Sequence, residues 1–504
     1  MRPLISRRRL LATAAGAAGA AALAACGETQ IVEVERIVTK EVPVEKVVTK
    51  EVAVEIEKIV TREVEKVVEV QAPQQEVSFI RYVSNHTSGP RAKANQWALE
   101  RFAQVQPNIH VRFEPAGRLS DILGVQFAAG TAPDTTLSSQ SLFLHFQEGD
   151  NWLEVTELLD KHGLVREDFY FVPDDYTDNK VDHSFPPPQV MNGPQFGMPF
   201  QVAISGFVGN ISLAEENGVE LPTSENSWTW DDWTQMDSQM TDPDEDTFGT
   251  WARNDYEFQY MPQMYSNGLK KPFNDALTKA MYDLPEVHEA LQYLVDKVFL
   301  HETSPPAELT KELGGEFGNP FAAGKIGLWP SGRVYSTGYA IPRIKDRFRW
   351  TLLPEVVVRD GMTPGHGWND QANMVTATAR KNGTEEASTL FVMFMAGEEV
   401  SDRVGIDRGH MPAHRKSIGK AESIAPPPEG MQWLKVYADR PDTRHLYTFN
   451  EWPAWNQQIR PLTAKAFVGE STVTEALQDV QDQSARLLRN YTGPKPFVSS
   501  PVYP

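Results

Sequence analysis

Residues 77–113 change hydrophobic period twice, and that succession leaves few folds open. Val77-Ser78-Phe79-Ile80-Arg81-Tyr82 alternates like a strand. Residues 92–104 then follow a helical period, with Trp97, Leu99 and Phe102 as core contacts, and Ile109-His110-Val111-Arg112-Phe113 alternates again. The joints are short. A strand–helix–strand unit of this kind predicts a largely parallel sheet with helices on both faces, an α/β fold. At 504 residues, 40% of them hydrophobic, the chain has room for two or three ordinary domains with real cores.

The first 76 residues follow other rules. Four arginines (Arg2, Arg7, Arg8, Arg9) precede an uncharged, alanine-dominated run that ends at Leu23-Ala24-Ala25-Cys26. A basic flank and a short apolar stretch make residues 1–25 a signal peptide, because spanning a bilayer takes about 20 apolar residues. Ser6-Arg7-Arg8-Arg9-Leu10-Leu11 resembles the twin-arginine export signal, and Leu23 to Cys26 resembles a bacterial lipobox. That resemblance implies lipidation of Cys26 and a stable anchor through several acyl chains. Cys26 is the one cysteine, which excludes an internal disulfide and a thiolate metal cluster.

Residues 27–76 repeat a charged valine unit beginning at Glu35, Glu45, Glu57 and Glu65, at intervals of 10, 12 and 8. The intervals fit no heptad, Pro43 interrupts any long helix, and no aromatic residue is present to seed a core. We read the stretch as a stalk; fully extended it would reach on the order of 150 Å. Removing the leader arginines takes the formal charge from −20 to −24, a surface that repels phosphate backbones and argues against nucleic-acid binding.

From residue 77 onward an ordered series of landmarks resembles the bacterial extracellular solute-binding proteins of sugar importers, the maltodextrin-binding type. They include Gln106-Pro107-Asn108-Ile109, Phe127-Ala128-Ala129-Gly130-Thr131-Ala132-Pro133-Asp134, and Trp152-Leu153-Glu154-Val155-Thr156. Trp228-Thr229-Trp230-Asp231-Asp232-Trp233 is the most distinctive; Phe321-Ala322-Ala323-Gly324-Lys325-Ile326-Gly327-Leu328, Gly365-His366-Gly367-Trp368 and Met411-Pro412-Ala413 follow in order. The chain departs from the family's pattern at Gly209-Asn210, where Tyr-Asn is common, and at Arg333, where an aromatic is common. Residues 170–193, with Phe185-Pro186-Pro187-Pro188, read as an added loop.

The resemblance implies a two-lobed, periplasmic-binding-protein-like fold of type II, with hinge crossovers between two α/β lobes and a ligand in the cleft. It allots residues 77–200 and 346–405 to the first lobe, and 201–345 and 406–504 to the second. Loops at the cleft would hold Tyr82, Asn85, His86, Ser138, Ser139, Gln140, Gln201, Trp251, Arg253, Ser331, Arg333, His366, Trp368, Asn369 and Asp370. Such side chains suit a sugar, which offers flat apolar faces to indoles and hydroxyls to polar groups. Trp251 and Trp368 are the favoured platforms. Thr229-x-x-Asp232 reads instead as a helix N-cap, with Asp231 and Asp232 structural, and Trp452-Pro453-Ala454-Trp455 as packing.

The expected protein is therefore a monomeric, non-catalytic importer component with no cofactor and no metal. Its partners are a sugar, an ABC permease and, through lipid, the membrane. His410 and His414 stand four apart, but Pro412 breaks the helix that would align them as metal ligands. The run from Gly318 to Gly324-Lys325 is one residue too long for a phosphate loop, and Ile326 replaces the required Ser or Thr. Two other classes stay open at this point: a secreted glycoside hydrolase with paired acids, and a surface scaffold built on the valine repeat. A polyol phosphate or a peptide is a further ligand option, with Arg253 or Arg333 meeting an anion.

Overall fold

The structure is a computed structural model that describes residues 77–147, 149–170, 194–204, 206–255, 259–330, 334–365, 367–440, 444–445 and 452–492. The leader, Cys26, the valine repeat, residues 171–193 of the expected loop, Ser331, Arg333 and His366 lie outside the described residues. The chain divides into units 1–72 and 73–504, and every described residue belongs to the second.

The opening pattern folds as its periods dictate. Strand β1 (Ser78–Ser84) pairs in parallel with β2 (Ile109–Pro115), and the helix Gly89–Val105 connects them. That helix buries Ala94, Ala98 and Phe102 against Phe391 of the helix Glu385–Ala396. Pro90 sits in its first turn, where a missing N–H costs nothing. Strand β3 (Thr135–Ser138) lies on the other side of β1, also parallel.

The next strands carry the chain between lobes. Strand β4 (Gly197–Ile204) runs into β5 (Phe207–Asn210) across residues 205–206, yet the two belong to different sheets. Strands β6 (Phe248–Thr250), β7 (Ile326–Trp329) and β8 (Trp350–Leu353) complete the second sheet, in the order β6-β7-β5-β8. Strand β9 (Gly367–Val375) returns to the first sheet between β4 and β3. Two-residue β10 (Met411–Pro412) and β11 (Arg444–His445) pair with β4 and β9.

Two expectations are corrected here. Each sheet is mixed rather than largely parallel, because the crossing strand β9 runs antiparallel to both β3 and β4, and β5 runs antiparallel to β7 and β8. The first lobe resumes at β9, not at residue 346, since β8 hydrogen-bonds into the second sheet; conversely, β10 still pairs with first-sheet β4 although it lies beyond residue 405.

Among the described residues, the first crossing between the lobes is the passage from β4 to β5. The second, which begins after β8, is fixed where the Gly365 N–H donates to Ser266 Oγ at 2.7 Å. The third leaves β10 and reaches the edge of β8, where the Leu352 N–H meets the Glu429 carbonyl at 2.8 Å. Gly430 makes that join possible. Its φ is +72°, and a β-carbon there would stand 2.1 Å from the Leu352 oxygen.

Separate cores fill the lobes: Tyr82, Leu123, Leu137 and Phe391 in the first, and Trp228, Trp233, Leu294 and Trp455 in the second. A third apolar cluster runs through the crossing, from Val202 and Ile204 on β4 to Val208 on β5 and Met374 on β9. The Trp228–Trp233 landmark owes its distinctiveness to packing. Phe207 stands edge-on to both Trp228 and Trp233, while Trp230 stacks on Tyr293 at 4.2 Å. Thr229 and Asp232 form the capping box that starts the helix Trp230–Gln239, as the sequence indicated. Trp455 is a core residue, its indole donating to Ser484 Oγ at 2.8 Å. Among the described residues no helix is long and apolar enough to cross a membrane.

Candidate functional site

Helices that begin just after strand ends show which ends face each other. The helix Gly89–Val105 follows β1 and packs on Val334–Ile344, which follows β7 in the other lobe. The helix Gln140–His145 follows β3 and packs on Trp452–Phe467 of the second lobe. The carboxyl ends of β1 and β3 therefore face the second lobe, the position where open α/β sheets place ligands.

On the first-lobe side, His86 is 2% exposed and its ring lies parallel to that of His410, 5.8 Å away. Its Nε2 is 3.3 Å from Gln371 Oε1, which also accepts from the Gln201 amide. Burial, with help from the Arg91 charge, pushes the His86 imidazole down to about 3, so it is neutral at physiological pH. Gln201 Oε1 and Asn85 Oδ1 are enclosed, with no hydrogen-bond partner among the described residues. These are acceptors awaiting donors.

On the second-lobe side, Trp251 follows β6 and Trp329 ends β7, with ring centroids 5.6 Å apart. The Arg253 guanidinium lies 4.4 Å over the Trp251 ring and pairs with Asp255 at 3.0 Å. The arrangement is a buried indole pair, 6% and 4% exposed, covered on the Trp251 side by a compensated cation.

The expected residues divide accordingly. Asn85, His86 and Gln201 come together around Gln371, while Trp251 and Arg253 group with Trp329. Ser138 ends β3, fully buried, its hydroxyl donating to the Ser139 carbonyl at 3.3 Å. Tyr82 is corrected to a core residue. Strand β1 continues to Ser84, so Tyr82 is completely enclosed, packed edge-on to Phe391, and donates to Asn373 Oδ1 at 2.9 Å. Trp368, Asn369 and Asp370 lie on strand β9 rather than in a glycine-rich loop; only their backbone, like that of Gln140, is described.

Sequence reasoning does not find Gln371, His410 or Trp329 as members of the site. The short alternation Ala372-Asn373-Met374 is the local signal that a strand lies beside Gln371. His410 and His414 form no metal pair: His410 stacks on His86, whereas His414 sits edge-on to Phe169. Among the described residues no group of three His, Cys, Asp or Glu side chains is placed to hold a metal. A cavity of about 560 Å³ lies away from the facing strand ends, on the outer edge of the second lobe beside Leu221, Arg349 and Trp433. Asn85, His86, Gln201, Trp251, Trp329 and Gln371 do not line it.

The sequence profile of the bacterial extracellular solute-binding proteins matches residues 85–401, well over half of the chain. The chain belongs to that family. It is thus a solute-binding protein of an extracellular, non-enzymatic class. No curated protein matches it. Solved structures share the fold of this solute-binding protein at low identity. An ABC substrate-binding protein from Listeria monocytogenes in complex with cycloalternan is 21% identical, with a TM-score of 0.68 over 82% of this chain and 100% of that one. The GacH receptor of Streptomyces glaucescens, solved unliganded and with acarbose, is 16% identical (TM-score 0.65, 83% of this chain and 100% of that). Maltose-bound MalE3 of T. maritima is also 16% identical (TM-score 0.63, 82% and 100%).

Proposed function

We propose that this solute-binding protein takes up a sugar or oligosaccharide between its lobes and passes it unchanged to an ABC permease, while Cys26 tethers it to the outer face of the cytoplasmic membrane. The carrying observation is the pairing of chemistries at the strand ends. Enclosed, uncharged amide and imidazole groups stand beyond the strand ends of the first lobe, and a tilted indole pair stands at the strand ends of the second. Hydroxyl groups supply the donors that Asn85 and Gln201 lack, and a pyranose face suits Trp251 and Trp329. Arg253 is neutralised by Asp255, which disfavours an anionic ligand such as a polyol phosphate. Relatives of the same fold hold cycloalternan and maltose, which supports the choice of ligand class.

Calorimetry against cycloalternan, maltose, mannobiose and acarbose tests the reading. At least one should bind without being degraded. Trp251→Ala and Gln371→Ala should each weaken binding about 10- to 100-fold, the usual effect of losing an aromatic platform or a buried polar contact. Binding by none of the four, or hydrolysis of one, rejects it. The anchor has its own test. Cys26→Ser should move the protein from the membrane to the soluble fraction of fractionated cells, and full membrane retention would count against lipidation.

A further inference from the structure

We propose that Gly338 is the seat on which the two lobes close, and that its lack of a side chain sets how tightly the protein holds its ligand; the second half rests on the binding function above. Gly338 lies inside the second-lobe helix Val334–Ile344. A β-carbon there would stand 2.1 Å from the carbonyl oxygen of Arg408 and 3.0 Å from its carbonyl carbon. The obstacle is backbone of the other lobe, which cannot swing aside as a side-chain tip can.

That backbone is also held fast. Arg408 is 7% exposed and its guanidinium donates to the carbonyls of Gly405, Ser423 and Ala425, tying the turn after the helix Glu398–Ile406 to the third crossing. The Gly409 N–H is bonded to the Val404 carbonyl at 3.1 Å, and the next residue, His410, stacks on His86. The surface that receives Gly338 is therefore a rigid first-lobe turn joined directly to the candidate ligand-contacting cluster.

Glycine is a poor choice for a helix interior, since alanine there costs less backbone entropy. Local preference gives no reason for glycine at position 338; the approach of Arg408 does. The contact exists only with the lobes together, so a side chain at 338 penalises the closed state and leaves the open one untouched. A ligand that works by favouring closure then loses affinity by the same factor.

Gly338→Ala in the full chain tests this, with Gly117→Ala as control because a β-carbon at Gly117 meets nothing within 4 Å. The readouts are the unliganded unfolding midpoint, affinity for cycloalternan and maltose, the radius of gyration from solution scattering, and amide exchange over residues 404–411 and 334–344. The expected result has opposite signs. The unliganded midpoint is unchanged or raised, affinity falls about ten-fold or more, the sugar-saturated particle is larger than wild type, and exchange quickens in both segments. Wild-type affinity, size and exchange would overturn the proposal, and so would a loss of affinity matched by a lowered unliganded midpoint. If neither sugar binds the wild type, the proposed ligand is at fault. Exchange in the unliganded proteins then decides for Gly338 alone: quickening over 404–411 upholds the seat, and no change removes it.

Discussion

Lys297→Met is expected to lower the unfolding free energy by about 3–5 kcal/mol, the range for breaking a buried ion pair from one side. Lys297 and Asp237 are both 0% exposed, with Nζ and carboxylate 2.8 Å apart inside the second lobe. The ammonium also donates to Thr234 Oγ1 at 3.0 Å and lies 4.6 Å from the Trp233 ring and 4.5 Å from that of Tyr293. Burial pushes the Asp237 carboxyl up to about 7 and the Lys297 ammonium down, each toward its neutral form, and each partner's charge opposes the shift. Methionine fits the apolar part of the site but leaves the carboxylate without its cation.

The pH dependence has a definite sign. Without the ammonium the Asp237 carboxyl rises further, so the folded variant takes up a proton that the unfolded chain accepts only near pH 4. The contribution of a raised carboxyl is present at low pH and lost as pH climbs through its folded value. The variant should therefore recover stability between about pH 8 and pH 5, and Asp237→Asn/Lys297→Met should be steadier than the single change at pH 8. Urea unfolding reads all of this. A loss below about 1 kcal/mol at pH 8 would mean that the pair does not hold the lobe together.

Asp134→Ala should have a comparable effect on the first lobe, about 3–5 kcal/mol, by stranding several donors at once. The carboxylate is 1% exposed. Its Oδ2 accepts the backbone N–H of Arg81 at 2.8 Å, and its Oδ1 accepts the Asn382 amide at 2.9 Å and the Thr384 hydroxyl at 2.6 Å. One side chain thus links β1, the entry to β3 and the start of the helix Glu385–Ala396. Asp134→Asn keeps a single acceptor oxygen and should fall between alanine and wild type. A denaturation midpoint within error of wild type for the alanine variant would show that solvent replaces those bonds.

Asp134 also belongs to the part of the fold that is legible in the sequence. Its Pro-Asp setting, the Trp228–Trp233 run and the alternation around β1 and β2 are local patterns, and local patterns survive because caps, turns and periods depend on neighbours in the chain. The cleft depends on other distances. His86 and Gln371 are 285 positions apart, and Gln201 and Gln371 are 170 apart, so no window of sequence contains either contact. Strand β9 is hard to see because glycine and polar residues dominate its first half. Tyr82 is displaced from the site by two residues of strand. Where β1 ends decides whether its ring points into the lobe or onto the crevice, and the period of two punishes a small error. Residue 346 fails as a boundary for a related reason: nothing local tells β8 which sheet it will join.

The apolar cluster threaded through the crossing gives the molecule something like a greased axle. Val202, Ile204, Val208 and Met374 pack together there, and only two residues separate Ile204 from Phe207. Sliding or pulling the halves apart would wet that axle, whereas turning about it keeps it dry. Such a construction favours a pivot, which would return the facing strand ends to the same alignment on every stroke.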